Sequence, residues 1–231
     1  MKKSKKIFHE KNEVGYFSSS SIFLNPYLLW RFADYFGVGG GLKFEKTSNI
    51  NEKLTTDQKN TNAQNQISNP KPYEDLALQF RLTLGTINYN GLGQQGLRFN
   101  MMINTTSDLY TLSKKSEPYN EFINEIKAFL IVPPNHDSYL ALRIFYSLIT
   151  SNNILRLQSI GGLNSVRGFN DNQFIGQQVF YSNFEYRVTV WKGENFALQM
   201  VPFVDSGKAI AKHDSLLHTY TALSVGGGIR V

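Results

Sequence analysis

The sequence contains no cysteine, so a disulfide scaffold and any cysteine-ligated zinc or iron–sulfur site are excluded. It is also poor in charge. Asp, Glu, Lys and Arg make up 18% of its 231 residues, against about 25% in an ordinary soluble domain. Long apolar runs are missing too. Residues 129–132 and 139–149 are the most apolar stretches, and the longer one contains Arg143. A membrane-spanning helix needs about 20 mostly apolar residues. The opening Met1-Lys-Lys-Ser-Lys-Lys6 has the charge of an export signal, but Ile7-Phe-His-Glu-Lys-Asn-Glu13 follows it. A signal peptide would continue with an apolar core of about 7–15 residues, so none is readable here.

Catalytic and ligand-binding patterns are equally sparse. His9, His136, His213 and His218 have no metal-ligand spacing, no G-x-S-x-G string occurs, and no Ser/His/Asp arrangement can be argued. Gly91-Leu-Gly-Gln-Gln-Gly96 matches the dinucleotide string G-x-G-x-x-G. That fingerprint needs a strand before it and a helix after it, whereas the segment that follows alternates as a strand does. The expectation is no reaction, no metal and no cofactor. The net charge of +6 raises the question of nucleic acid, but the basic loop 46–73 lacks interleaved aromatics, so no nucleic-acid partner is expected.

Period-two alternation is what the sequence does have. Leu76, Leu78, Phe80, Leu82 and Leu84 alternate with Ala77, Gln79, Arg81 and Thr83. Leu97, Phe99, Met101 and Ile103 alternate with Arg98, Asn100, Met102 and Asn104. The same pattern runs through residues 139–148, 180–190 and 223–230. The polar row repeatedly carries a cation: Lys43, Arg81, Arg98, Lys127, Arg143, Arg187, Arg230. In a transmembrane β-barrel the apolar row meets lipid and the polar row a watery lumen, so average hydropathy hides the membrane. The mean hydropathy of −0.30 is consistent with that cancellation.

Strand length and connection length agree with this reading. Nine strands are predicted, at residues 18–33, 37–46, 75–88, 92–109, 121–132, 139–151, 178–191, 195–210 and 217–231, with a tenth within 5–16. Several are far longer than the 5–6 residues or so of a soluble strand, and a tilted spanning strand needs about 9–11. Tight turns near residues 34–37, 88–91 and 192–195 alternate with longer loops at 47–74, 110–120 and 152–178, as in outer-membrane barrels. Trp30, Tyr35, Phe36, Tyr89, Tyr110, Tyr139, Trp191 and Phe196 are candidates for interfacial aromatic girdles.

One loop stands out. Residues 152–178 contain Gly161-Gly162 and then Val166-Arg-Gly-Phe169. By parity, Glu185 and Asp205 on the next two strands face the polar side. An Arg in a glycine-flanked apolar turn opposite two acids suits a charge-assisted anchor. At these residues the chain resembles the BamA/TamA-like superfamily of outer-membrane barrels, the bacterial surface antigen family. Gly161, Gly162, Val166, Arg167, Gly168 and Phe169 are similar to its lumen loop. Glu185-Tyr-Arg187 and Phe203-Val-Asp-Ser-Gly207 are similar to the two strands that follow.

The resemblance implies an all-β fold, an antiparallel transmembrane barrel segment of about nine or ten strands from a larger barrel. It implies that the loop folds into the lumen, where Arg167 meets Asp205 and Glu185. It also implies a bacterial outer-membrane location and a role in assembling outer-membrane proteins or translocating polypeptides. The partners would be outer-membrane lipid, polypeptide substrates and assembly-complex subunits. The family pattern includes a signal peptide, POTRA domains, about four earlier strands and two later ones. None of these is visible, so residues 1–231 are expected to be part of a larger barrel domain. Two other readings stay open: a barrel that anchors and exports a fused enzyme domain of patatin type, and a soluble β-protein that binds lipid or another ligand.

Overall fold

A computed structural model describes residues 2–9, 12–54, 72–90, 93–106, 117–132, 138–193, 196–210 and 220–230; for residues 2–9, 12–20, 49–54, 90 and 93 only the backbone is described. Its elements are β1 (Lys2–His9), β2 (Asn12–Leu24), β3 (Tyr27–Ala33), β4 (Phe36–Leu54), β5 (Tyr73–Asn90), β6 (Gly93–Thr105), β7 (Asn120–Ile131), β8 (Ser138–Ile149), β9 (Gln158–Ile160), β10 (Phe174–Gly176), β11 (Gln178–Lys192), β12 (Ala197–Ile210) and β13 (Ala222–Arg230). The fold is all-β, and no helix occurs among the described residues. One antiparallel sheet runs β1-β2-β4-β5-β6-β7-β8-β11-β12-β13, with β3 also paired to β4. Each strand lies beside its sequence neighbour except at β2 and β3, which both pair with β4, and where the small β9–β10 ladder interrupts the chain.

The two faces of this sheet have inverted polarity. Phe80 on β5, Leu97 on β6, Phe184 on β11, Met200 on β12 and Val225 on β13 are exposed. The buried set instead includes Gln79, Asn104, Glu121, Ser147, Gln199 and Asp205. A water-soluble sheet places its apolar row inward, and large exposed apolar surfaces mark contact with something non-aqueous. Alternation with the apolar face outward is the pattern of a lipid-facing barrel wall. The soluble reading fails on this surface. Hydrogen bonds satisfy much of the inner face: Gln79 Nε2 donates to Asn104 Oδ1 (2.7 Å) and Asn104 Nδ2 to Glu121 Oε2 (2.8 Å).

Several boundaries differ from the sequence expectations. The predicted strand 18–33 is two strands, because Pro26 has no N–H to give to the ladder. Its carbonyl still accepts from Leu42 N (3.0 Å), so β2 and β3 follow one another along β4. The predicted tenth strand, 5–16, straddles the β1–β2 connection. Part of the expected loop 47–74 is strand, since β4 runs to Leu54 with Gly15 opposite it; residues 55–71 lie outside the described residues. The G-x-G-x-x-G string falls in the β5–β6 hairpin, where Asn90 faces Gly93 and a strand follows. Gly96 there has φ +134°, and a Cβ on it would lie 2.2 Å from the Thr86 carbonyl oxygen.

Of the girdle candidates five are exposed, Phe36 is half-buried and one is misassigned. Trp30, Tyr35, Tyr89, Trp191 and Phe196 are exposed, and Trp191 packs on Phe196 with ring centroids 4.6 Å apart. Tyr139 is 1% exposed and belongs to the inner face. It shares the parity of Ala141 and Arg143, and its hydroxyl donates to Gln199 Oε1 (3.3 Å). Tyr110 lies outside the described residues.

Candidate functional site

The connection from β8 to β11, residues 150–177, folds onto the polar face of the sheet. Its stem is the β9–β10 ladder, in which Phe174 faces Ile160 and Gly176 faces Gln158. The tip, residues 161–173, turns sharply. Gly161, Gly162 and Gly168 have φ of +116°, +84° and +85°, a region that costs other residues about 1–2 kcal/mol. Ser165 ties the turn: Gly161 N donates to its Oγ (2.8 Å), and the Oγ donates to the Gly161 carbonyl (3.0 Å).

Apolar burial seats part of the tip. Val166 is fully buried and clusters with Ile160, Val179, Tyr181 and Ala222, with Phe145, Phe169 and Phe174 packed around them. Gly207 on β12 makes room for this cluster. A Cβ there would come within 2.8 Å of Val166 Cγ2 and 2.9 Å of Ile160 Cδ1. The Gly of Phe203-Val-Asp-Ser-Gly207 is therefore a steric requirement of the seated loop.

Arg167 makes the polar half of the contact. Its Nε donates to Asp205 Oδ2 and its Nη2 to Asp205 Oδ1, both at 2.7 Å, while Nη1 donates to Glu185 Oε1 at 2.7 Å. The Arg167 backbone N–H donates to Asp205 Oδ2 as well (3.0 Å). The guanidinium lies over the Phe203 ring, 3.5 Å from its centroid. Two parallel bonds to one carboxylate, a bond to a second and an aromatic platform use the planar fork of arginine in a way lysine cannot copy.

The acids are themselves positioned. Asn183 Nδ2 donates to Asp205 Oδ1 (2.9 Å) and to the Ser165 carbonyl (2.5 Å), linking strand, acid and loop. Arg187 donates from Nε and Nη2 to Glu185 Oε2 (2.8 and 2.7 Å). Arg143 reaches the loop from β8, donating to the Asn164 carbonyl (2.9 Å) and to Glu125 Oε1 (2.8 Å). A cavity of about 430 Å³ beside the tip is lined by Arg167, Glu185, Arg187 and Arg230, among others.

The structure thus brings Gly161, Gly162, Val166, Arg167, Gly168 and Phe169 into one tip and sets Arg167 against Asp205 and Glu185. Sequence reasoning missed Asn183, Arg143 and Phe203 as partners. Their signal was strand parity, which puts all three on the inner face.

An antiparallel wall with an apolar outside, a polar inside and a loop folded against that inside defines an outer-membrane-type β-barrel region. The Omp85 superfamily domain matches residues 6–231, so the chain belongs to the Omp85 superfamily. Among solved structures it is similar to "The crystal structure of BamA from Haemophilus ducreyi lacking POTRA domains 1-3". The TM-score is 0.58 at 14% identity, over 84% of this chain and 41% of that one. The present chain thus spans well under half the length of that relative, and the likeness is one of fold. A comparison with curated proteins gave no match.

Proposed function

We propose that this chain is part of an outer-membrane barrel that assembles outer-membrane proteins or translocates polypeptides, with the loop of residues 150–177 seated inside its lumen. The apolar face contacts outer-membrane lipid. The working partners are polypeptide substrates and subunits of an assembly complex, and the role needs no catalysed reaction. We also propose that the sheet is one part of a larger barrel wall. β1 and β13 end the strand path, and in lipid each unpaired backbone group costs several kcal/mol, so such edges are paired.

The observation that carries this reading is the Arg167 fork on Asp205 and Glu185. It fastens a loop from the long-connection end to the inner faces of two adjacent wall strands, β11 and β12. A loop held on the inner wall by such a fork suits a barrel that handles folding or passing chains.

The test uses the full-length protein in liposomes with an unfolded outer-membrane barrel protein as substrate. Arg167→Ala and Asp205→Asn should each lower the rate of substrate insertion or passage about tenfold or more, equivalent to about 1.4 kcal/mol of barrier. Rates equal to the parent's, with the barrel folded, would contradict the proposal.

A further inference from the structure

A more deeply buried arginine lies in the same connection, eleven positions before Arg167, among different partners. The Arg156 side chain is 4% exposed and pairs through Nη2 with Asp75 Oδ2 on β5, itself 1% exposed. Its Nη1 donates to the Glu117 carbonyl (2.9 Å), just ahead of β7. The guanidinium lies over two rings, 4.1 Å from the centroid of Tyr73 and 4.7 Å from that of Tyr119. The neighbouring Ile154 and Leu155 are buried. Two positions on, Gln158 Nε2 donates to Glu121 Oε1 on β7 (2.7 Å).

A charge is placed this far from water only where paired and hydrogen-bonded. A carboxylate, a backbone carbonyl and two aromatic faces together match a guanidinium and not an ammonium. This is a built seat, and it is on the other side of the sheet path from the first. Arg156 binds β5 and the entry to β7; Arg167 binds β11 and β12, with β8 lying between the two groups. The contacts described for the two arginines share no residue. Between the seats lie the β9 stem and Gly161-Gly162, whose positive φ values bend the chain.

We infer that Arg156 is a second, independent anchor that holds the base of the loop on the β5–β7 wall, so that the tip can leave its seat while the base stays. The inference builds on the proposed loop function, to which Arg156 contributes as a positioning residue. The loop is a strap fastened at two points, and its two glycines are the pivot for the tip.

Hydrogen exchange followed by mass spectrometry on the full-length protein in lipid bilayers separates the two anchors. Arg156→Ala and Arg156→Lys should each speed exchange in residues 152–158 about tenfold or more and leave residues 164–169 protected, as for a local opening. Arg167→Ala should do the reverse, and the double variant should show both effects at their single-variant size, as expected for sites with no shared partner. If Arg156→Ala does not fold, Arg156→Lys and Tyr119→Leu report on the same segment. Unchanged exchange in 152–158 in the folded variants would overturn the inference. Equal release of base and tip by Arg156→Lys would also overturn it, because that describes one anchor. If Arg167→Ala leaves the tip protected while Arg156→Lys frees the base, the tip reading fails and the base anchor stands.

Discussion

Arg167 and Asp205 lie 38 positions apart and meet through two parallel hydrogen bonds of 2.7 Å, with the Asp205 carboxylate wholly shielded from water. Asp205 also accepts the Arg167 backbone N–H, so the acid holds both the side chain and the turn that presents it. Losing Arg167 strands the buried Asp205 carboxylate, at about 3–5 kcal/mol, whereas losing Asp205 leaves a partly exposed Arg167 that still has Glu185. Arg167→Ala and Asp205→Ala should each expose the tip to protease in the full-length protein. The double variant should be little worse than either single one, because one interaction is lost once. Arg167→Lys should come close to Arg167→Ala. Additive single effects would show that the two residues do not act as a pair.

Gly207 gives a purely steric counterpart. Its missing Cβ is the space taken by Val166 Cγ2 and Ile160 Cδ1, and overpacking of this kind costs about 1–3 kcal/mol. Gly207→Ala should loosen the tip with every charged group intact, and Gly207→Val more so. The same protease assay reads the effect, and a fully protected tip in Gly207→Val would contradict the packing described for Val166.

How much of this could be read from the sequence depends on how many residues carry each signal. On β5, five alternating apolar residues from Leu76 to Leu84 marked the outer row, in which Leu78, Phe80 and Leu84 are exposed. The Arg167, Asp205 and Glu185 grouping was legible because a motif and strand parity pointed to the same three residues. The β9 and β10 strands have three residues each, too few for a period to show. The extension of β4 past residue 46 is set by its partner β2, since residues 47–54 are mostly polar and their two apolar members, Ile50 and Leu54, are too few to show a period. Arg156 stands alone between two leucines, and its seat is assembled from residues far away in the chain: Tyr73, Asp75 and Tyr119. Tyr139 was misread by its nearness to a strand end, although the parity of its own strand already placed it inside.

Lipid exposure of the apolar row is directly testable because these 231 residues contain no cysteine. Single cysteines at Leu78, Phe80, Leu82 and Arg81 in the full-length protein should divide by face. A water-soluble maleimide should reach position 81 and leave 78, 80 and 82 largely unlabelled. Phe80 sits near the middle of β5, so Phe80→Arg should cost about 2–4 kcal/mol. Equal labelling at all four positions would overturn the assignment of faces.

The most direct test of the seated loop is a cross-link between its tip and the wall. A Cβ at Gly168 would lie 3.5 Å from Ser224 Cβ on β13, at the short end of the Cβ separations a disulfide spans, about 3.5–4.5 Å. The Gly168→Cys, Ser224→Cys double variant of the full-length protein is oxidised in the membrane, and the cross-linked fraction is measured. The seated loop requires ready disulfide formation, and a marked loss of it when Asp205→Ala is added. Gly168 has φ +85°, strained for any side chain, so protease protection of the tip is checked first in Gly168→Cys alone. A protected tip that forms no cross-link, with both cysteines reactive, would show that the tip does not rest on this wall.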